Sequence, residues 1–140
     1  HPTCDSTTTF VVSVVANWYK ANWRTFHTLQ RIQAAVRNIS GGLRRVVFRL
    51  YPRIERPWDA VSFRKHAERV LGGPEFVQMM PKMGSRFYGS LLESHVIVDT
   101  LPSCAVTTCT DALFLKIPIV TIEGTAAIGR YCAGQMRRVG

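Results

Sequence analysis

Two threonines at the start of a helix-like segment are the residues best suited to chemistry. Thr107 and Thr108 lie in the stretch DTLPSCAVTTCTDAL, between the apolar runs HVIV and PIVTI. A helix N-terminus offers free backbone N–H groups and a positive dipole end, which favour a phosphate or diphosphate. Asp111 follows about one turn later, where a carboxylate can accept hydrogen bonds from ribose hydroxyls. The alternative is an ordinary capped helix start with no ligand.

Two lysines follow apolar runs elsewhere in the chain. Lys20 lies in ANWYKAN after the first run, and Lys82 lies in MMPKMGS after the third. A lysine at the end of a buried strand can place one positive charge on a phosphate, although many such lysines are solvated turn residues. Arg130, in the last helical segment, either faces the same region or pairs with Glu123. The four histidines share no spacing typical of a metal site or a catalytic pair.

Apolar, β-branched runs alternate five times with amphipathic segments, and this pattern predicts the fold. The strands are predicted at 9–17, 45–52, 76–81, 95–100 and 118–124, and the helices at 23–39, 62–71, 85–94, 107–116 and 125–138. Residues 53–60, which include a proline, are predicted to form an irregular loop. The alternation indicates an α/β fold with a Rossmann-like, mostly parallel sheet of about five strands and helices on both faces. Such sheets bind ligands beyond the carboxyl ends of their strands.

Length, charge and cysteine content limit the class of protein. The chain has 140 residues, enough for one domain, and we expect residues 1–8 to be disordered or a linker. The net charge of +9 favours an anionic partner. The longest apolar runs fall short of the roughly 20 residues that span a bilayer, so no membrane partner is expected. The four cysteines form no Cys-x-x-Cys pair, which disfavours a zinc site. Three of them lie in apolar or helical surroundings, as free cysteines in reducing compartments do, so we expect a cytoplasmic and also nuclear location.

Three common nucleotide and hydrolase motifs are absent from the sequence. There is no Gly-x-Gly-x-x-Gly after the first strand, no Gly-x-x-x-x-Gly-Lys-Ser/Thr loop and no Gly-x-Ser-x-Gly elbow. Their absence disfavours a nicotinamide or flavin site, a P-loop nucleotidase and an α/β-hydrolase respectively.

Taken together, the turns resemble one family. The stretches ANWYKA, MMPKMGSRFYG, VDTLPSCAVTTCTDALFLKIPIVTIEG and TAAIGRYCAGQMRRVG look like the C-terminal catalytic lobe of the O-GlcNAc transferase family. The resemblance covers roughly residues 10–140 and is most specific over 99–124. That stretch has Asp-Thr, then Thr-Thr-x-x-Asp-Ala-Leu, then Pro-x-Val-Thr and a glycine, in register.

The resemblance implies half of a GT-B fold, in which the second of two Rossmann-like lobes holds a nucleotide-sugar. It implies that Lys20 contacts the donor diphosphate and acts in catalysis, with Asn17 as a polar contact nearby. Further positions match the family's donor-binding residues. They are Pro81 and Lys82 at the uridine, Thr107 and Thr108 at the diphosphate, Asp111 at the ribose, and Arg130 in the last helix.

Two positions depart from the family pattern. The family has histidine before the two threonines and again shortly after the Pro-Lys pair, where this chain has Val106 and Ser85. Ser85 therefore takes the place of an imidazole against the uracil. The two substitutions remove a hydrogen-bond donor and a stacking surface from the donor site.

The sequence therefore predicts the UDP-sugar-binding lobe of a cytosolic protein glycosyltransferase, which transfers GlcNAc or a related hexose to protein side chains. We expect no cofactor and no metal besides the UDP-sugar donor. Since the protein acceptor would bind the other lobe, we expect a fragment that is inactive alone. One alternative is a degenerate, non-catalytic module for nucleic acid or an acidic protein. Another is a different α/β enzyme such as a sugar epimerase. Such an enzyme should carry its acid/base carboxylates in the turns, and Glu123 is the one that we find there.

Overall fold

A five-stranded, all-parallel sheet lies at the centre of the chain. The structure is a computed structural model that describes residues 8–80, 84, 86–100 and 102–139. The strands are β1 (Thr9–Val15), β2 (Arg45–Tyr51), β3 (Val77–Met79), β4 (Val96–Val98) and β5 (Ile119–Val120). The helices are α1 (Trp23–Ile39), α2 (Pro57–Leu71), α3 (Phe87–Leu92), α4 (Val106–Phe114) and α5 (Ala127–Val139). The parallel sheet and the alternating helices confirm the α/β fold class predicted from the sequence.

The strand order is β3-β2-β1-β4-β5, so the chain winds outward from β1 in both directions. β1 pairs with β2 over seven positions, from Thr9 opposite Arg45 to Val15 opposite Tyr51. On its other side, β1 pairs with β4 through Val12 and Ser13. The order reverses between β1 and β4. In doubly wound sheets, this switch point opens the crevice in which ligands bind.

Both faces of the sheet are covered, each by its own hydrophobic cluster. On one face, Phe26 and Leu29 of α1 and Leu71 of α2 pack on Val12 and Phe48. The other cluster combines buried residues of α3, α4 and α5 with residues of β1, β2, β4 and β5. Because both faces are buried, the strands are nearly continuous apolar runs, and this pattern made them recognisable in the sequence. Among the described residues, no helix combines the length and apolar character needed to cross a membrane.

One buried side chain of β2 is charged. Arg49 is only 6% exposed, and its guanidinium donates to Gln78 Oε1 of β3 and to the carbonyl oxygen of Ser90 in α3, both at 3.0 Å. Its Nη2 also lies 2.7 Å from Glu93 Oε2. A buried charge needs such partners to offset the loss of hydration. Arg49 therefore fixes α3 against the β2–β3 side of the sheet.

The prediction of an irregular loop at 53–60 was wrong in its second half. α2 begins at Pro57 rather than at residue 62, with Arg56 as its N-cap. A proline breaks the interior of a helix but suits its first position, where its fixed φ is already helical and no N–H is needed. Gly72 ends α2 with a left-handed φ of 93°.

The later elements are shorter than the sequence indicated. β5 has two residues rather than seven, because it pairs only with Ile97 and Val98 of β4 before the chain turns away. α3 and α5 begin at Phe87 and Ala127, two residues later than predicted. The expectation of disorder for residues 1–8 falls, except for residue 8, outside the described residues.

The start of α5 packs closely against the turn that precedes α4. A Cβ on Gly129 would lie 2.8 Å from the carbonyl oxygen of Pro102 and 3.1 Å from Cα of Gly124. Gly124 N also donates to the carbonyl oxygen of Gly129 at 2.9 Å. Gly134, in the same helix, would meet nothing within 4 Å. The two glycines therefore form a matched pair of sites, one crowded and one open.

We predict that Gly129→Ala lowers the free energy of unfolding by about 1–3 kcal/mol, because backbone atoms on both sides have to move. Gly134→Ala should instead raise it by up to about 1 kcal/mol, since alanine is the better helix former. Urea titration of both variants measures the two changes. Similar effects of the two substitutions would show that α5 does not pack this way.

Candidate functional site

The ends of β1 and β4 meet through a lysine. Lys20 closes a short 3₁₀ turn, Trp18–Lys20, that follows β1. Its Nζ donates to the carbonyl oxygen of Cys104 at 3.4 Å, in the turn between β4 and α4. The two residues are 84 positions apart in the sequence. Lys20 therefore lies at the switch point of the sheet, half-buried and next to the start of α4.

The first turn of α4 docks on the same end of β1. Thr108 is buried, and its hydroxyl donates to the carbonyl oxygen of Val15 at 3.3 Å. Thr107 is exposed. The first bond of the helix runs from Cys109 N to the carbonyl oxygen of Ala105, so the N–H groups of residues 106–108 have no acceptor inside the helix. The resemblance implies that both threonines contact the diphosphate, but the Thr108 hydroxyl joins α4 to β1.

Asp99 organises the turn between β4 and α4, a role that we did not predict. Its Oδ1 accepts from the backbone N of Thr100 at 2.9 Å and of Ala105 at 2.8 Å. Its Oδ2 accepts from the hydroxyl of Thr121, which follows β5, at 2.8 Å. The signal in the sequence was an acid directly after an apolar strand. Asp99 begins the motif of residues 99–124, but spacing alone did not show that its carboxylate joins the turn after β4 to the turn after β5.

Asp111 lies in the second turn of α4, half-buried, on the side of α3. Its Oδ1 accepts from the hydroxyl of Tyr88 at 3.3 Å. Asp111 is four residues after Thr107, so the two lie about one turn apart on the same side of the helix. A carboxylate in this position can accept hydrogen bonds from a diol next to a phosphate held at the helix start. Tyr88 was not among the residues predicted from the sequence.

Asn17 lies on the other side of Lys20. Its amide donates to the hydroxyl of Tyr19 at 2.8 Å. Asn17 also lines an open hollow of about 380 Å³, together with Arg53 and Arg56. A second hollow of about 340 Å³ lies next to it, and Tyr19 and Asp59 line both. Neither hollow is lined by Thr107 or Asp111. The structure therefore places Asn17 close to Lys20 in the chain, on a hollow that Thr107 and Asp111 do not line.

Arg130 lies near the start of α5, the helix that packs against the turn before α4. Its guanidinium donates to the carbonyl oxygen of Thr125 at 2.6 Å. We left open whether it pairs with Glu123, and the structure pairs Glu123 with Arg137 instead. The hydrogen bonds from Arg137 hold the pKa of the Glu123 carboxyl below its ordinary value, with a smaller effect from Arg130. Glu123 is therefore ionised near neutral pH and engaged by an arginine.

The three described cysteines are buried, unoxidised thiols beneath this site. Cys109 of α4 and Cys132 of α5 lie with their sulfur atoms 2.7 Å apart, and Cys104 lies in the turn before α4. Burial raises the pKa of both Cys109 and Cys132, and the contact between them raises that of Cys132 further. Thiols in this state pack as small apolar groups and are poor nucleophiles.

The structure thus brings Lys20, Thr107, Thr108 and Asp111 around the N-terminus of α4. Asn17 lies just before the turn that carries Lys20, and Arg130 lies near the start of α5. The predicted contacts at Pro81, Lys82 and Ser85 lie outside the described residues. Val106, at the position where the resemblance led us to expect histidine, is the first residue of α4 and is 36% exposed.

No protein-family model matches this chain, and no curated protein matches it. Among solved structures, a point mutant of the O-GlcNAc transferase from Thermobaculum terrenum is similar, with a TM-score of 0.76 and 21% sequence identity. The similarity covers 91% of this chain and 24% of that chain, so this chain spans about a quarter of the length of its match. The fold is thus that of a lobe of an O-GlcNAc transferase, consistent with half of a GT-B fold.

We predict that Asp99→Ala lowers the free energy of unfolding by about 2–4 kcal/mol, because two partly buried backbone N–H groups lose their acceptor. Asp99→Asn keeps one oxygen and should cost less. Asp111→Ala is the control, since it removes only a long, exposed hydrogen bond and should change stability by about 0.5 kcal/mol or less. Chemical denaturation compares the three variants. Equal losses for Asp99→Ala and Asp111→Ala would contradict the role of Asp99.

Proposed function

We propose that this chain binds the diphosphate of a UDP-sugar at the N-terminus of α4 and serves as the donor lobe of a glycosyltransferase. The observation that carries the proposal is the convergence of Lys20 with the start of α4 at the switch point of the sheet. The fold supports it, because the solved structure it resembles is that of an O-GlcNAc transferase.

The chemistry of these groups suits a diphosphate leaving group. When the bond between the sugar and UDP breaks, negative charge develops on the β-phosphate. An ammonium group and a row of N–H groups at a positive helix end stabilise that charge without having to reorient. Lys20 and residues 106–108 supply these groups in our proposal. Asp111 would accept hydrogen bonds from the ribose, and its contact with Tyr88 holds the carboxylate on that side of α4.

The further details of the proposal follow from the resemblance. The transferred sugar is GlcNAc or a related hexose, the acceptor is a protein side chain, and Pro81, Lys82 and Ser85 lie along the uridine. Asn17 and Arg130 complete the donor contacts. The location is the cytoplasm, and also the nucleus.

UDP should stabilise the 140-residue chain against heat. At a UDP concentration of one hundred times the dissociation constant, binding adds about 2.7 kcal/mol, or roughly 8 °C in Tm for a domain of this size. UMP should give a smaller shift at the same concentration, because it lacks the second phosphate. A thermal melt with each nucleotide measures the difference. Identical melts with and without millimolar UDP would refute the proposal.

Lys20→Ala should weaken UDP binding about 10- to 100-fold, the loss expected for a hydrogen bond to a charged group. It should affect UMP less, so the difference between the two nucleotides should shrink. Lys116→Ala removes an exposed lysine at the far end of α4 and is the matched control. Titration calorimetry gives the affinities. If both alanine variants bind UDP equally well, Lys20 is not a diphosphate ligand.

A further inference from the structure

The positive charge of this protein is concentrated in its first half. Residues 8–80 contain twelve Lys or Arg and four Asp or Glu, whereas residues 86–139 contain five and four. From residue 6 to residue 54 there is no acidic residue at all. The helices of the two halves lie on different faces of the sheet, since α1 and α2 cover one face while α3, α4 and α5 contribute to the cluster on the other.

The exposed side of α1 carries part of this charge. Arg24, His27, Arg31 and Asn38 recur at intervals of three, four and seven residues, so they lie along one solvent-facing stripe. Ala34 and Ala35 lie within that stripe. Among the described residues, no ion pair forms to Arg24 or Arg31. The stripe therefore carries uncompensated positive charge.

α2 extends the charged surface next to α1. Gln30 of α1 donates to the carbonyl oxygen of Val70 in α2 at 2.8 Å, and the rings of Phe26 and His66 are 5.1 Å apart. Arg69, next to Val70, donates to His66 Nδ1 at 3.3 Å. These contacts place Arg69 beside the stripe of α1.

The carboxylates of α2 do not cancel this charge. Asp59 and Glu68 each pair with an arginine of their own, Arg56 and Arg64 respectively. Lys65 is exposed and forms no ion pair within the described part of the chain. We call the surface formed by Arg24, Arg31, Lys65 and Arg69 the basic surface.

Exposed indoles lie at one end of the basic surface. Trp23 is 71% exposed, with the Arg24 guanidinium 5.4 Å from its ring centre. Trp58, at the start of α2, is 64% exposed, with the Arg56 guanidinium 6.0 Å from its ring centre. Both residues begin helices at the carboxyl edge of the sheet. Folding tends to bury large aromatic side chains, so two solvated tryptophans beside arginines are unusual on a surface with no partner.

We infer that the basic surface and its two tryptophans bind single-stranded nucleic acid. Guanidinium groups pair with backbone phosphates, and exposed aromatic rings stack on bases that no complementary strand covers. An acidic peptide would satisfy the arginines but offers no bases for the indoles. Duplexes keep their bases stacked inside, so they too leave the indoles unused. Arg31, Lys65 and Arg69 belong to helices that cover the opposite face of the sheet from α4, whereas the two tryptophans lie at the carboxyl edge, on the same edge as Lys20. We expect the nucleic acid and UDP to bind independently.

Fluorescence anisotropy of the 140-residue chain with labelled 20-nucleotide oligouridylate or oligothymidylate tests the inference. Binding should weaken as salt rises, with a slope of about 0.7 per phosphate contact on logarithmic axes. The double substitution Arg24→Gln and Arg31→Gln removes two phosphate contacts, so it should lower that slope by about 1.4 and weaken binding at low salt. The matched control, Lys116→Gln with Arg138→Gln, removes two exposed charges elsewhere and should change neither.

Trp23→Ala should weaken binding by about tenfold and leave the salt slope unchanged, because stacking releases no counterions. Saturating UDP should not displace the oligonucleotide, and the UDP thermal shift should survive the double arginine substitution. Three outcomes would overturn the inference. The first is no binding of the oligonucleotide at about 50 mM salt, the lowest concentration of the titration. The second is an equal loss of affinity in the control variant. The third is binding of a duplex, polyglutamate or phosphatidylserine vesicles as tight as that of the oligonucleotide.

Discussion

The contact between the end of β1 and the start of α4 is the constraint on which the site depends. Lys20 reaches the carbonyl oxygen of Cys104, and Thr108 reaches that of Val15. Both bonds join segments more than 80 residues apart, and both use a side chain from one segment and the backbone of the other. A cation and a helix N-terminus repel one another electrostatically, since both are positive. Their close approach here is held by these bonds and by the packing beneath them, and it leaves positive charge at the switch of the sheet that the Asp99 carboxylate, which accepts from Ala105 N, offsets in part. An anion placed there would relieve the repulsion.

Several layers of support lie behind that point. Asp99 holds the backbone of the β4–α4 turn and ties it to Thr121, so the strands β4 and β5 position the start of α4 together. Beneath it, α5 closes on the same turn through Gly129, where no side chain would fit. The thiols of Cys109 and Cys132 fill the space between α4 and α5. Preorganisation of this kind is what electrostatic stabilisation of a leaving group requires, because the donors are already in place before charge develops.

The two faces of the sheet differ in their surface chemistry. Residues 86–139, which include α3, α4 and α5, contain five basic and four acidic residues, and the site residues lie at one end of α4. Residues 8–80, which include α1 and α2, contain twelve basic and four acidic residues. A positive field on one side of a small domain also raises the local concentration of any anion near the domain. The basic surface and the α4 site are therefore separate in position, but the positive field attracts anionic ligands to both.

The sequence by itself determined the elements and the fold class, because strands covered on both faces are continuous apolar runs and α1 has a clear helical period. α1 was predicted to the residue, at Trp23–Ile39. Sequence also predicted that Lys20 follows a strand and that Thr107, Thr108 and Asp111 lie at the start of a helix, since strand ends and helix starts are local features. Only the tertiary structure decided what these residues contact. The strand order β3-β2-β1-β4-β5 put β1 next to β4, and that pairing alone brought Lys20 to Cys104. The roles of Asp99, Tyr88 and Arg49 come from long-range hydrogen bonds, which no local pattern encodes. The start of α2 at Pro57 shows the reverse case. A proline is compatible both with a loop and with the first position of a helix, and packing selected the helix.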